Sequence, residues 1–594
     1  MRHSLRRAIA AGKLAWAASP ATLLAVAAMT VAQGMVPVGL AWITKVLLDE
    51  LTQPPFSTGT LLACIAGLAA LGLAADALSA FEEYLRTGLH RQVRVIVQTR
   101  LFARLNRYPS IAVFESPQLL DRVRLAEHAG DHAPEEAVGT GLQLLQATVT
   151  AAGFAVTLLV LWAPMAAIVV VIAVPAALAQ LRLGRLRADM THEVTPLQRR
   201  QMFFRLLLTD VKAAKEVRLF GLGRFLLGRM LRDLSAANNA EMRVDRFSAW
   251  AQVRIGTLTG LLTVIGLTAA VVLASRGRLS IGEVTVFLAA IAALHTTIGS
   301  AAAGCARAYA ALLLFEHYLA VVDDPVTGAG SLPAPRLSRG IEFHDVWFRY
   351  ADELGWVLRG TNLRLPSQGA IGLVGLNGAG KSTIVKLLTR LYEPTRGRIT
   401  WDGIDLAELD PATLRARISA VFQDFMAYDL TAAENIGVGE LSKLEDLPRI
   451  RAAAAMADVD TVISPLPQGY QTLLSRIFNG ETNASLSGGQ WQRVALARAF
   501  LREEADLLIL DEPSSGLDAV TEHALHHRLG QLRAGRLSLL ISHRLNALRD
   551  ADHILVLEEG VVVEQGDHDH LMRARGRYAE LFSLQAQGYA ATVE

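Results

Sequence analysis

Residues Gly375-Leu-Asn-Gly-Ala-Gly-Lys-Ser382 form a glycine-rich octet ending in Lys-Ser. A short apolar run, 370–374, precedes it and a helical run, 383–391, follows it. The predicted setting is therefore strand, loop, helix, the context in which such an octet cradles phosphate. Gly375, Gly378 and Gly380 let backbone N–H groups close around phosphate oxygens at a helix N-terminus, whose partial positive charge favours anions. Lys381 is expected to reach the β- and γ-phosphates and the Ser382 hydroxyl to bind Mg²⁺. Asn377 and Thr383 adjoin the cradle as further candidate contacts. A second apolar strand, 507–510, ends in Asp511-Glu512. A carboxylate at that strand tip can hold the metal shell, and the adjacent one can orient or deprotonate an attacking water. Helix capping is the competing use of such acids. Two in succession after four aliphatics suit triphosphate hydrolysis better, with Glu512 as the base.

Downstream, Leu486-Ser-Gly-Gly-Gln490 followed by Trp-Gln-Arg-Val-Ala-Leu-Ala-Arg498 resembles the signature motif and helix of ATP-binding cassette (ABC) proteins. The resemblance covers about 341–578 and implies further roles. Tyr350 sits where the family's adenine-stacking aromatic lies, and Gln423 in Val-Phe-Gln-Asp matches the Q-loop, a Mg²⁺ contact. Ser515-Gly-Leu-Asp518 resembles the D-loop, and His543 in Ile-Ser-His-Arg resembles the switch histidine that meets the γ-phosphate. The implied cofactors are ATP and Mg²⁺. The resemblance also implies that Ser487, Gly488, Gly489 and Gln490 of one chain close over the phosphate loop of another. A homodimer is the simplest such pair, and a related half-transporter is the other. From the residues alone, Tyr350 also reads as an ordinary core aromatic at a strand end, and His543, after the apolar run 537–541, as a satisfied core histidine. One departure is Glu481-Thr-Asn483, where the family often carries Gly; Asn is among the few other residues that tolerate a left-handed backbone.

These motifs occupy only the second half of the chain. Its 594 residues correspond to about four domains' worth of chain. Lys+Arg 58 against Asp+Glu 56 leaves a net charge of +2, which gives no sign of a nucleic-acid partner. A hydrophobic content of 52% with only 19% charged residues, against a usual ~25%, argues against a disordered or fully soluble chain. Six runs in the first half, 20–43, 61–80, 142–162, 165–183, 256–275 and 284–303, are long and apolar enough to cross a ~30 Å hydrocarbon core. Long basic segments follow the second and fourth runs, carrying Arg86, Arg91, Arg94, Arg100, Arg104 and Arg107, then Arg182, Arg185, Arg187, Arg199 and Arg200. With Arg2, Arg6 and Arg7 in the N-terminal tail, the positive-inside tendency makes the tail and both loops cytoplasmic. Arg276 and Arg278 run against it but are outnumbered. Trp16, Trp42 and Trp162 lie near span ends, where interfacial indoles are expected. The first run is too long for a cleaved signal peptide. Cys64 and Cys305 belong to no ligand or disulfide pattern and read as small apolar fillers.

The basic loops carry apolar residues at three- and four-residue spacing, so the spanning helices are predicted to continue into the cytoplasm. Within them, Phe114-Glu-Ser-Pro and Ala214-Lys-Glu-Val-Arg-Leu-Phe-Gly221 loosely resemble segments flanking the family's coupling helices. A turn is predicted at Ala163-Pro164 and a linker over 321–340. The expected architecture is multidomain: an all-α, six-helix transmembrane domain of ABC exporter type (1–320), the linker, and an α/β P-loop NTPase domain (341–594). The expected function is ATP-driven export of a small molecule, peptide or lipid across a bacterial cytoplasmic membrane, with the nucleotide-binding half and the N-terminus inside. An importer on the same fold, or an ATP-gated membrane assembly that does not pump, are the alternatives, since fold does not fix direction. Asp76 and His295 are ionisable groups at membrane depth and are expected to face a cargo pathway or a helix partner.

Overall fold

The computed structural model describes residues 2–52, 57–324, 330–475, 483–513 and 535–590, with the side chains of 162–196 and of a few scattered helical positions left out. By internal contacts the chain divides into Met1–Asn106 with Pro117–Asp324, and Arg107–Ser116 with Pro325–Glu594.

The first unit is helical: α1 (Arg2–Ala18), α2 (Pro20–Thr52), α3 (Thr58–Leu105), α5 (Pro117–Thr209), α6 (Val211–Leu219), α7 (Gly223–Ser275) and α8 (Ile281–Val322). The label α4 is kept for Ala112–Glu115, which belongs to the second unit. Among the described residues five helices are long and apolar enough to span a membrane, lying in α2, α3, the 122–161 part of α5, α7 and α8. The fourth expected run, 165–183, has its side chains outside the described residues. The backbone is helical through Ala163-Pro164, where a turn is predicted. Proline is tolerated within membrane helices, and no glycine or capping residue accompanies Pro164 to end one.

The helices meet through small residues, as expected where lipid removes any hydrophobic drive to pack. Thr150 Oγ1 donates to the Gly34 carbonyl at 2.8 Å across α2 and α5. A Cβ on Gly153 would stand 2.8 Å from Val38 Cγ2, so that crossing requires glycine. Thr140 Oγ1 donates to the Gly304 carbonyl at 2.9 Å, joining α5 to α8. Trp42 Nε1 donates to Thr157 Oγ1 at 3.0 Å. At the start of α8, Ser280 and Glu283 form a capping box, and Asp49 of α2 accepts the Gly282 N–H at 3.0 Å. No more than 28% of any apolar spanning window is buried within one chain, which leaves these faces for lipid or another protein.

The second unit carries two sheets. The antiparallel one runs β2-β1-β4-β5, built from β1 (Gly340–Phe348), β2 (Leu358–Pro366), β4 (Arg396–Trp401) and β5 (Ile404–Asp405). The other runs β10-β9-β3-β8-β7-β6, built from β3 (Gly369–Val374), β6 (Ile418–Val421), β7 (Leu507–Asp511), β8 (Leu537–Ile541), β9 (His553–Glu558) and β10 (Val561–Gly566). All its pairings are parallel except β9 with β10. The five residues of β7 and of β8 are buried throughout, as in a parallel sheet covered on both faces. Period-two alternation sorts them: Leu507, Ile509, Leu537 and Leu539 enter one core, while Leu508, Leu510 and Leu540 enter the other. Helices α9 (Lys381–Leu388), α10 (Pro411–Ala416), α11 (Ala432–Gly437), α12 (Leu447–Met456), α13 (Asp460–Ile463), α14 (Gly488–Phe500), α15 (His568–Ala574) and α16 (Arg577–Ala590) complete the unit. The run predicted over 383–391 starts two residues earlier and ends at Leu388, because Arg390 takes a left-handed backbone with φ 51°.

The segment carrying α4 packs on this unit. The Ile111 N–H donates to the Leu391 carbonyl at 3.0 Å, and Ser110 Oγ donates to the same oxygen at 2.9 Å. The incoming linker is held by one carboxylate. Asp402, buried in the β4–β5 turn, accepts the N–H groups of Ser338, Arg339 and Gly340 and the Ser338 hydroxyl at 2.7–3.0 Å. Burial works to raise its pKa, but these bonds hold it below the usual carboxylate value. Hydrogen bonds to a charged acceptor each contribute about 1.5–3 kcal/mol net of competing water. Asp402→Asn in the full-length protein is expected to lower stability by about 1–3 kcal/mol at pH 7. Since the native carboxylate is the more acidic state, its contribution is present above pH 3.8 and lost as pH falls through the lower folded value. Thermal unfolding of both proteins between pH 7 and pH 3.5 checks this, and the gap is expected to narrow toward the acid end.

Candidate nucleotide site

Strand order assembles the site. In the run β3-β8-β7-β6 the strands are parallel neighbours, so their C-terminal ends share one edge. Ligands of open α/β sheets bind at that edge. The phosphate loop leaves β3, His543 follows β8, Asp511-Glu512 ends β7 and Gln423 follows β6. Residues up to about 170 positions apart thus fall in a row, which no local pattern could dictate.

The phosphate loop ends in Gly380, which caps α9 with φ 106°. Gly378 is also left-handed, with φ 84°. Gly375 is required for another reason: a Cβ there would stand 2.4 Å from the Leu557 carbonyl oxygen of β9. Lys381 is 7% exposed, and its Nζ donates to the Gly375 carbonyl at 2.7 Å and the Leu376 carbonyl at 3.0 Å, which holds the ammonium over the loop. Burial lowers its pKa, and the charges of Glu512 and Asp511 partly oppose that. Asn377 lies exposed on the loop.

Glu512 is the most constrained residue of the site. Its backbone is left-handed, φ 54°, a conformation that costs a non-glycine residue about 1–2 kcal/mol. Four groups hold it there. Its N–H donates to the Ile541 carbonyl at 2.9 Å, and Gln492 Nε2 of α14 donates to its carbonyl at 3.0 Å. Its carboxylate accepts Gln423 Nε2 at 3.0 Å through Oε2 and meets His543 Nε2 at 2.6 Å through Oε1. A satisfied core histidine is therefore not the role of His543, which is 44% exposed and bonded to the acid beside it. Both carboxylate oxygens of Glu512 are thus engaged by side chains from other elements.

Asp511, 5% exposed, differs from its neighbour. Burial and the adjacent Glu512 charge push its pKa up to about 6, although the Ser382 hydroxyl bonds to it and Lys381 lies near. A buried carboxylate crowded by Glu512 and Asp424 is a place where a cation relieves repulsion. Its donors, with Ser382 and the Gln423 amide, are hard oxygens that fit Mg²⁺. Among the described residues no cluster of three or more His, Cys, Asp or Glu forms a complete metal cage, so water and phosphate would supply the other ligands.

Tyr350 is 37% exposed and its hydroxyl lies 3.0 Å from Thr383 Oγ1 of α9. It meets Phe348 and Tyr392 edge to face at 4.9 and 5.3 Å. Lys386 Nζ lies 5.1 Å from the Tyr350 ring and 5.5 Å from the Tyr392 ring. The same ammonium contacts Glu115 of α4 at 3.1 Å, and the Tyr392 hydroxyl donates to Glu115. Burial and the Glu115 charge raise the Tyr392 pKa. An aromatic platform beside the phosphate loop is thereby joined to α4 through two side chains.

The signature turn is separate. Ser487 caps α14, forming a capping box with Gln490 at 3.3 and 2.8 Å. Ser487 and Gly488 are exposed, and Gly489 and Gln490 half-buried. Among the described residues no hydrogen bond or ion pair joins this turn to the phosphate loop. Asp518, Ser515, Glu481 and Thr482 lie outside the described residues. Asp76 and His295 are both exposed on the helical unit, with no hydrogen-bond or ion-pair partner among the described residues. Sequence reasoning missed Lys386 and Tyr392, and gave Gln492 and Glu115 no role beyond their place in the signature helix and the Phe114-Glu-Ser-Pro segment. A polar residue in an otherwise apolar helix face marks Gln492, which is 4% exposed, but its target is visible only in three dimensions.

Residues 358–515 match the family described as ABC transporter, and residues 23–298 match the ABC transporter transmembrane region. An ATP-dependent lipid A-core flippase of Alkalilimnicola ehrlichii is 35% identical over 381 residues, 64% of this chain and 63% of that protein. The mitochondrial potassium channel ATP-binding subunit of Xenopus tropicalis is 38% identical over 53% of this chain and 45% of its own length. A putative multidrug export ATP-binding/permease protein of Bacillus subtilis is 31% identical over 56% of each. The matched region thus spans less than two thirds of these curated relatives. A bacterial Atm1-family ABC exporter solved with ATP bound has the same fold, with a TM-score of 0.80 at 22% identity over 96% of this chain and 98% of that one.

The raised pKa of Asp511 gives a test with a definite sign. The folded state holds its proton more tightly than the unfolded chain, so the ionised carboxylate costs stability. The cost is absent below pH 3.8, grows as pH rises toward 6, and is complete above it. With divalent metal chelated, Asp511→Asn is expected to unfold about 2–3 kcal/mol less readily than the parent at pH 7.5, and equally at pH 4. Thermal unfolding at the two values checks the prediction. Added Mg–ATP should stabilise the parent more than the variant.

Proposed function

This chain belongs to the ABC transporter family, and on that premise we propose that it is an ATP-driven exporter working as a pair of copies. The observation that carries the reading is the Gln423–Glu512–His543 cluster, set beside the phosphate loop while the signature turn of the same chain stands exposed and unused. In this reading the described residues supply every group for hydrolysis except the surface that covers the γ-phosphate. The exposed Ser487–Gln490 turn of a second copy, at the start of α14, supplies that surface.

In this reading Tyr350 stacks on adenine, while Asn377, the loop N–H groups, Lys381 and Thr383 bind the phosphates. Ser382, Gln423 and Asp511 hold Mg²⁺, which when bound neutralises phosphate charge. Glu512 takes the proton of the attacking water, and His543 holds Glu512 in place and donates toward the γ-phosphate. Ser487, Gly488, Gly489, Gln490 and Asp518 of the other copy complete the pocket. ATP then stabilises the closed pair and hydrolysis releases it, which is how a ligand drives a conformational cycle. The Tyr350–Tyr392–Lys386–Glu115 chain supports a route by which nucleotide occupancy is felt at α4.

Of the expected cargo classes, the names of the flippase relatives favour a lipid. The open side chains of Asp76 and His295 support their assignment to the cargo path. The potassium-channel subunit among the relatives favours the second reading, a membrane assembly that ATP gates without pumping. A bacterial cytoplasmic membrane, with the cassette inside, suits both.

Glu512→Gln is expected to retain ATP binding while turnover falls by about 10²–10⁴-fold; a near-normal rate would remove Glu512 as the base. Ser487→Arg is expected to bind ATP yet not hydrolyse it, and undiminished hydrolysis would mean that one chain completes its own site. Inside-out vesicles separate the transport readings, with the Glu512→Gln protein as control. ATP-dependent accumulation of a lipid, peptide or small molecule supports export, release of preloaded compound supports import, and ATP turnover that moves nothing uphill supports gating.

A further inference from the structure

His543 is itself held through the backbone of its loop. The residue leaves β8 on a short loop, and its imidazole is the half of the Glu512 contact that is 44% exposed. The loop's backbone is gripped from outside the sheet by the side chain of Gln585 on α16. Its Oε1 accepts the Leu545 N–H at 2.9 Å, and its Nε2 donates to the His543 carbonyl. The orientation of the amide follows from its partners, since Leu545 offers only a donor and His543 only an acceptor. One amide therefore spans the loop and fixes the peptide on each side of Arg544.

The helix that carries this amide is itself firmly seated. Glu564 of β10 caps its first turn by accepting the N–H groups of Arg577 and Tyr578. Tyr578 is fully buried and its hydroxyl lies 2.9 Å from His568 Nδ1. The His568 ring packs 5.1 Å from Phe582. Tyr578 shares a core with Leu545 and Leu548 of the loop. Gln585 lies seven residues beyond Tyr578, two helical turns along, on the same face as this anchor.

We infer that Gln585 is a positioning residue for ATP hydrolysis, holding the His543 loop so that the imidazole meets Glu512. The inference rests on the proposed ATPase reading and extends it: the C-terminal helix α16 becomes part of the catalytic apparatus. Gln585 touches no substrate. It acts through the backbone of the residue that does, and so its loss should change turnover and not nucleotide affinity.

The test uses the full-length protein and measures ATP hydrolysis. Gln585→Met keeps the length and packing of the side chain but neither hydrogen bond. It is expected to lower kcat at least tenfold, with KM for ATP within twofold of the parent and an unchanged unfolding temperature. In a His543→Ala background the same change should add nothing, because residues that act as one unit are not additive. Gln585→Glu keeps the acceptor for Leu545 but not the donor to His543, and should fall between parent and Gln585→Met. A parent-like rate for either variant overturns the inference. So does an equal slowing of the His543→Ala protein, which would place the action of Gln585 elsewhere. If Gln585→Met fails to fold, the Gln585→Glu rate decides by the same criterion. A parent protein that hydrolyses no ATP would instead overturn the proposed function, an outcome distinct from parent hydrolysis insensitive to Gln585.

Discussion

The nucleotide half of this chain depends on holding one glutamate in a backbone conformation that it would not adopt alone. Glu512 at φ 54° gives up about 1–2 kcal/mol against an ordinary strand or helix residue. The left-handed turn lets the end of β7 stop at Asp511 and present two consecutive carboxylates with different surroundings. Asp511 stays buried in the strand, raised toward neutrality and suited to a metal shell. Glu512 turns outward to meet Gln423 and His543. Contacts from β6, β8 and α14 converge on it, so the strain is offset by hydrogen bonds from elements distant in sequence. Local strain that is over-determined by its surroundings is what a functional site shows.

That constraint explains much of the cassette architecture. Parallel pairing of β3, β8, β7 and β6 is what brings the phosphate loop, the histidine, the acids and Gln423 to one edge. Parallel strands need long crossovers, and the one from β6 to β7 ends in α14, whose Gln492 donates to the Glu512 carbonyl. The signature turn that begins that same helix is exposed at Ser487 and Gly488. The first turns of a single helix therefore hold the Glu512 peptide and expose the signature turn. Charge is used economically around Tyr350 as well: Lys386 serves two aromatic rings and the Glu115 carboxylate.

The helical unit follows different physics. Its apolar surfaces remain largely open in one chain, and its close contacts are glycine crossings and threonine hydroxyls bonded to opposing carbonyls. These are the means by which helices associate where burial from water provides no drive. Hydrophobic periodicity has little to say there, because lipid-facing and protein-facing residues are equally apolar.

The amino-acid sequence by itself determined five of the membrane runs, the strand–loop–helix phosphate cradle and the acids at the end of a buried strand. Each depends on neighbours within about ten residues, where length, apolarity and glycine placement act directly on the backbone. Resemblance to a known family extended that reading to Tyr350, Gln423, Ser487 and His543, whose residue types alone are ambiguous. The tertiary structure decided what those residues touch. It replaced the core-histidine reading of His543 with a 2.6 Å contact to Glu512, drew helix through the turn expected at Ala163-Pro164, and put residues 107–116 with the nucleotide-binding unit. It alone identified Gln492, Glu115 and Gln585, polar side chains whose partners lie 20, 277 and 42 residues away. The reason is physical: propensity and periodicity act over a few residues, whereas a hydrogen bond between distant segments exists only once sheet order and helix packing have brought its two ends together.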